Sequence, residues 1–275
     1  MTRAAAMAAL GGPTLAGLAY LALFGAPTHY LAINAAALAL AAAILFIGLP
    51  QPGSRARLVA GAILLALFVA PLVTGPTIAG PFTDGVNRWL PLGPFMLNAG
   101  MLAIPPLVVL AAHDDHAGPP ALLAALLIAL VQPDFASALA LTGGAVGIYQ
   151  VRGHWSAGLV VIAGFFIAIS AALRGELPPE AFVERILLDA FGQSIAMGLL
   201  LALSLAGATL AMLFGTGLPR IARYPIGMTL FGFLLASMIS TYPTPLAGYG
   251  AAAIIGFALA HALAFALPDA PQSPA

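Results

Sequence analysis

The residues able to do chemistry are few enough to weigh one by one: nine acids, nine Arg, no Lys, five His and no Cys in 275 residues. Glu180 and Glu184 stand four apart beside Arg185 and Asp189, between two apolar runs. A carboxylate there can serve as a general base toward a hydroxyl. The plainer reading is a solvated amphipathic helix with intrahelical pairs, Arg185 with Asp189 among them. Asp134 stands in Gln132-Pro133-Asp134, between two apolar stretches. An ionisable group at such a break usually faces a cavity or a partner, and an Asp there also caps the next helix by accepting its free N–H groups; the two roles are compatible. Arg88-Trp89 offers a guanidinium fork that matches phosphate oxygens, or an interfacial anchor with Trp at headgroup depth and Arg snorkelling. His113-Asp114-Asp115-His116 carries ligand-type residues, but zinc needs a third and fourth well-placed ligand, and the run reads better as a solvated turn. The absence of Cys excludes disulfides, thiolate metal sites and thiol nucleophiles. No phosphate-binding loop, dinucleotide fingerprint or serine elbow occurs.

Lipid must surround the elements that position these residues. The chain is 62% hydrophobic and 7% charged, against about a quarter charged in a soluble domain. Its net charge of zero leaves no broad basic face for nucleic acid. Apolar runs fall near residues 8–25, 28–49, 57–75, 94–112, 120–132, 135–151, 157–173, 193–215, 226–240 and 250–267. Most approach the roughly 20 residues that cross a bilayer; the fifth and sixth are short, and the first is read as a retained helix rather than a cleaved leader. Pro133 disfavours helix at the residue before it, so ten crossings are expected, or nine if that break is only a kink. The fold class is therefore all-α, a polytopic membrane bundle spanning residues 1–275. Arginine bias sets its orientation: with both termini inside, Arg3, Arg55, Arg57, Arg152, Arg220 and Arg223 are cytoplasmic. Arg88, Arg174 and Arg185 then lie outside, together with Asp84, Asp134, Glu176, Glu180, Glu184 and Asp189. Residues 76–93 and 174–192 form external loops, and 268–275 a flexible tail. Within the second loop, Leu177-Pro178-Pro179-Glu180 predicts a helix start, with Pro in the first turn and acids near the positive dipole end.

Three segments carry a resemblance. Gly85 through Phe95, containing Arg88-Trp89 and Leu92-Gly93-Pro94-Phe95, is similar to a signature before the fourth helix of the SEDS family (shape, elongation, division and sporulation; FtsW/RodA type). Gln132-Pro133-Asp134 with the following Ala136, Ser137, Ala138 and Leu139 resembles the same family's Gln-Pro-Asp motif. Pro243-Thr244-Pro245 and Gly248-Tyr249-Gly250 resemble its loop before the last helix. The order and spacing of the three match a ten-helix layout over nearly the whole chain.

The resemblance implies a bacterial inner-membrane glycosyltransferase that polymerises lipid II into peptidoglycan beside a single-pass class B penicillin-binding protein. By that analogy Glu180 is the base, Arg88, Trp89, Asp134, Gln132 and Tyr249 are substrate-binding, and the ligand is an undecaprenyl-pyrophosphate-linked sugar. No cofactor is recognisable and no metal ligands are assigned, although a divalent cation at the outer face is compatible with such chemistry. The chain also departs from the family. Ala99, Gly100, Met101 and Ile104 stand where a Pro-Ser-Glu and a Lys usually form an ion pair, Gly248 replaces a Ser, and the largest external loop is shortened. Aligned back from Gly192, the family's loop aspartate falls at Ala181, one residue from Glu180. Two alternatives stay open: a catalytically degenerate paralogue acting as a subunit or scaffold of another membrane complex, and a transporter of lipid-linked precursors.

Overall fold

A computed structural model describes residues 2–80, 83–93, 95–215 and 217–267. The 268–275 tail, Pro94 and the Asp84 side chain lie outside the described residues. The helices are α1 (Arg3–Leu23), α2 (Thr28–Ile47), α3 (Ser54–Val69), the single turn α4 (Pro71–Thr74), α5 (Ala99–Ala112), α6 (Gly118–Val131), α7 (Phe135–Arg152), α8 (Trp155–Ala172), α9 (Ile186–Gln193), α10 (Ile195–Leu210), α11 (Arg220–Ile239) and α12 (Ala251–Ala266). Setting aside α4 and α9, ten long helices among the described residues coincide with the ten apolar runs. Among the described residues, six segments are long and apolar enough to cross a membrane: α1, α2, α3 continued through α4, α8, α10 continued by the π-helical turn Ala211–Gly215, and α11.

The shorter α5 and α12 occupy the interior, where lipid thickness does not set length. Thirteen of the fourteen residues of α5 are buried, whereas α3 buries only Phe68. Pro105 and Pro106 lie inside α5; with no N–H to give, they free the carbonyls four residues back, those of Met101 and Leu102. Gly256 of α12 packs on those two carbonyls, and a Cβ at Gly256 would strike both. A second close seam joins α7 to α11. A Cβ on Gly143 would strike the Met228 carbonyl, and one on Gly147 would lie 2.7 Å from the backbone of Tyr224 and Pro225. The four-residue spacing of small side chains is what lets two membrane helices approach backbone to backbone.

Side-chain bonds fix which helix ends share a face. On one face, Arg3 Nη1 donates to Phe46 O at 2.7 Å, and Arg152 Nη2 donates to Ala112 O at 3.0 Å while Arg152 pairs with Asp115 at 3.4 Å. On the other, Arg174 Nη2 donates to Leu130 O at 2.8 Å, Asn34 Nδ2 to Gly248 O at 2.9 Å, and Thr241 Oγ1 to Leu177 O at 2.6 Å. This second face carries the loops expected to be external.

Two local expectations need correction. The fourth apolar run, 94–112, is not helix throughout: Phe95–Asn98 (β4) pairs antiparallel with Trp89–Leu92 (β3), and Asn98 then caps α5 by accepting the Met101 N–H at 2.9 Å. Preceding it, β1 (Ile78–Gly80) pairs with β2 (Thr83–Val86), so the first loop is built of two hairpins. Nor does a helix start at Pro178–Glu180. Residues 180–184 make one isolated turn, Phe182 and Arg185 adopt left-handed backbone at φ 63° and 56°, and α9 starts at Ile186. The turn is drawn away from helix because Val183 O and Phe182 O accept from Thr244 N and Tyr249 N at 3.1 and 2.9 Å. Arg185 and Asp189 are joined through the backbone, Asp189 N to Arg185 O at 3.0 Å, and no side-chain ion pair between them occurs among the described residues.

Candidate functional site

The loop face holds a cavity of about 540 Å³. Its walls are the two hairpins (Ile78, Trp89, Met96), the 177–184 segment, the 243–250 loop and the start of α12, with Tyr30 of α2 at one side and Met101 at the floor. The lining is mainly apolar, and its charged members are Glu180 and Glu184.

Glu184 is 6% exposed, whereas Glu180 is exposed. Glu184 Oε2 accepts the Glu180 N–H at 2.7 Å, and Glu184 N donates back to Glu180 O at 3.1 Å. Residue 184 also forms an antiparallel bridge to Pro243. Burial pushes the Glu184 carboxyl up to about 7; the Glu180 N–H and the Arg88 charge pull it down, and the Glu180 charge pushes it further up. A carboxyl poised near neutrality in a cavity can take and release a proton under working conditions.

The 243–250 loop that faces Glu184 is pinned by a residue with no part in the sequence expectations. Asn34, buried in α2, donates to Gly248 O at 2.9 Å and accepts from Gly250 N at 3.0 Å. Its signal in the sequence is a lone amide inside an otherwise apolar helix, a costly placement in lipid unless both ends are bonded. Tyr30, one helical turn earlier, stacks on Tyr249 with ring centroids 3.7 Å apart and planes 5° from parallel. Gly248 sits where a Cβ would lie 2.8 Å from Val183 O and 2.9 Å from Thr244 O, so the absence of a side chain lets the two loops meet. The hydroxyl of Thr244, a cavity-lining residue, is buried with no partner among the described residues.

The sequence-predicted residues divide into two layers. Trp89, Glu180 and Tyr249 line the cavity. Arg88, Gln132 and Asp134 are buried, 3%, 1% and 1% exposed, and are not among its lining residues. Arg88 Nη2 donates to Pro133 O and Gly175 O, its Nε lies 4.0 Å from Asp134 Oδ1, and its guanidinium sits 4.5 Å above the Tyr242 ring. Asp134 caps α7, accepting Ser137 N at 3.1 Å and Ser137 Oγ at 2.6 Å. Gln132 Nε2 donates to Phe68 O at 2.7 Å. Tyr242 accepts the Phe135 N–H at 3.1 Å, and burial raises its phenol, with the Arg88 charge opposing. These residues lock the hairpins, the α6–α7 break and both loops together beneath the cavity.

On the opposite face, Asp114 Oδ1 accepts the N–H groups of His116 and Ala117 at 3.0 and 2.8 Å and Asp115 pairs with Arg152, the pattern of a structured turn. Among the described residues no three His, Asp or Glu converge in a way that would hold a metal ion.

The same arrangement of helices occurs in solved structures. The chain superposes on the crystal structure of the Thermus thermophilus rod shape determining protein RodA with a TM-score of 0.60 at 20% identity, covering 94% of this chain and 93% of that one. For an aspartate-to-alanine mutant of the same protein the values are 0.63 and 21%, with 94% of each chain covered. The chain therefore has the RodA-like fold of SEDS proteins, as its motif resemblance led one to expect. No protein-family profile and no curated protein sequence matches it.

Proposed function

We propose that this protein is a SEDS-like component of bacterial cell-wall synthesis in the inner membrane, working with its termini in the cytoplasm and its loop face outside. In this reading the cavity transfers a glycan from one undecaprenyl-pyrophosphate-linked sugar to another. The observation that carries it is a buried carboxyl, Glu184, bonded to the Glu180 N–H in the wall of a cavity on the loop face of a RodA-like bundle. Glu184 Oε2 is held by the Glu180 N–H, leaving Oε1 to take the proton of the acceptor 4-hydroxyl. The hydroxyl oxygen then bonds to the anomeric carbon of the donor, and the bond from that carbon to the pyrophosphate oxygen breaks. Undecaprenyl pyrophosphate leaves with the electron pair. Glu180 is the second carboxylate of this site, and Trp89 and Tyr249 offer flat faces to sugar rings. Arg88, Gln132 and Asp134 act as positioning residues, holding the floor on which the loops sit. Two carboxylates, one already bonded to a backbone N–H, make an incomplete ligand set for a resident divalent cation, so no step is assigned to one.

Lipid II polymerisation by the purified chain, alone and with a co-purifying single-pass class B penicillin-binding protein, tests this. Glycan ladders are expected. Folded protein that yields none in either setting, yet co-purifies in fixed stoichiometry with another complex, would establish the scaffold reading. That reading is favoured by one feature: no Arg or Lys lines the cavity to meet a pyrophosphate.

A further inference from the structure

A second cleft lies on the face opposite the cavity, between α3 and the α5–α6 hairpin, with a volume of about 220 Å³. That exceeds the ~150 Å³ apolar cavity that accommodates a benzene ring. Its walls are Leu58, Ala62, Leu65, Leu107, Leu110 and Ala121, and its mouth carries Arg57 and Asp114. Small residues on membrane helices ordinarily let backbones approach. Here one does the reverse: a Cβ added to Gly61 would meet nothing within 4 Å, so the space beside it on α3 is open. Across the cleft, Gly118 is used for close approach, packing on the Ala111 carbonyl.

We propose that this cleft binds one phospholipid of the adjoining leaflet, an acyl chain between α3 and α5 and a zwitterionic phosphoethanolamine headgroup at the mouth. Charge complementarity selects that headgroup. Arg57 presents a cation for the phosphate, and the Asp114 carboxylate presents an anion for the ammonium. A headgroup with phosphate alone gains the first contact and meets repulsion from the second, while a trimethylated ammonium cannot donate a hydrogen bond to the carboxylate. Asp114 uses Oδ1 to hold the N–H groups of His116 and Ala117, which fixes the carboxylate at the cleft. The proposal is independent of any activity of the outer cavity.

Native mass spectrometry of the detergent-purified full chain tests it, after equilibration with micelles containing equal phosphatidylethanolamine, phosphatidylglycerol and phosphatidylcholine. One phosphatidylethanolamine is expected to be retained in preference to the others. Ala62→Leu, which puts bulk into the cleft from a residue exposed on α3, should abolish that retention. Asp114→Asn keeps a capping oxygen and removes the charge, so it should cut the preference for ethanolamine over glycerol by about tenfold, the worth of one charge-assisted hydrogen bond. Arg57→Gln should weaken all three lipids. Equal retention of the three lipids by the unmodified chain overturns the proposal, as does ethanolamine preference that survives both Ala62→Leu and Asp114→Asn.

Discussion

Replacing Arg88 distinguishes a structural clamp from a ligand contact. Its guanidinium gives hydrogen bonds to two carbonyls, from Pro133 and Gly175, lies 4.0 Å from the Asp134 carboxylate and covers the Tyr242 ring, all at 3% exposure. Charge-assisted hydrogen bonds are worth about 1.5–3 kcal/mol each, and a desolvated cation–π contact about 2 kcal/mol. Part of this is offset because Arg88→Ala also relieves the cost of burying the cation. Removing one partner of a buried pair costs about 3–5 kcal/mol in the net, which for a chain of this size is a fall in Tm on the order of 10 °C. Thermal unfolding in detergent, followed by tryptophan fluorescence, reads it directly. Arg88→Lys should recover part of the loss, since an ammonium keeps the charge but not the fork. An Arg88→Ala variant that unfolds within about 2 °C of the unmodified chain, roughly the effect of half a kcal/mol, would show that Arg88 is not a clamp. If such a stable variant also lost affinity for a pyrophosphate-linked lipid, Arg88 would be a ligand contact instead of a clamp.

Other consequences follow from the loop contacts. The Glu184 carboxyl, raised from 4.5 to about 7, is bound to a proton in the folded chain over a range where the unfolded chain has lost it. Stability therefore falls as pH rises from about 4.5 to 7, by about 3 kcal/mol at the full shift, and levels above it; Glu184→Gln should flatten that slope in pH-dependent thermal melts. Asn34→Leu strands the Gly248 carbonyl and the Gly250 N–H, at about 1–3 kcal/mol each, and should speed hydrogen exchange across residues 243–250. Gly248→Ser, which restores the residue type of the family motif, pushes a Cβ toward the Val183 and Thr244 carbonyls. It should cost about 1–3 kcal/mol and open the 180–185 segment to limited proteolysis.

The ten long helices could be read from the sequence because lipid demands apolar runs of a set length, and no other solvent suits this composition. The boundaries that failed did so for tertiary reasons. Phe95, Met96 and Leu97 look like the start of a membrane helix, and only their pairing with Trp89–Leu92 makes them a strand. Pro178 and Glu180 look like a helix start, but the partners of Phe182 and Val183 lie more than 60 residues away, at Tyr249 and Thr244. Asp134 was legible as a cap because capping is local. Whether Arg88 faces a cavity or a packed floor was not, since that depends on Gly175 and Tyr242, distant in sequence. Glu180 and Glu184 were visible as a pair; which one is buried was decided by the bridge to Pro243.

The most direct test is the pH profile of lipid II polymerisation by the purified chain, compared with Glu184→Gln and Glu180→Gln. Activity should rise with a midpoint near pH 7, as Glu184 loses its proton; Glu184→Gln should abolish it, and Glu180→Gln should reduce it less. A folded Glu184→Gln variant that polymerises at the rate of the unmodified chain, with the same pH profile, would rule out Glu184 as the base.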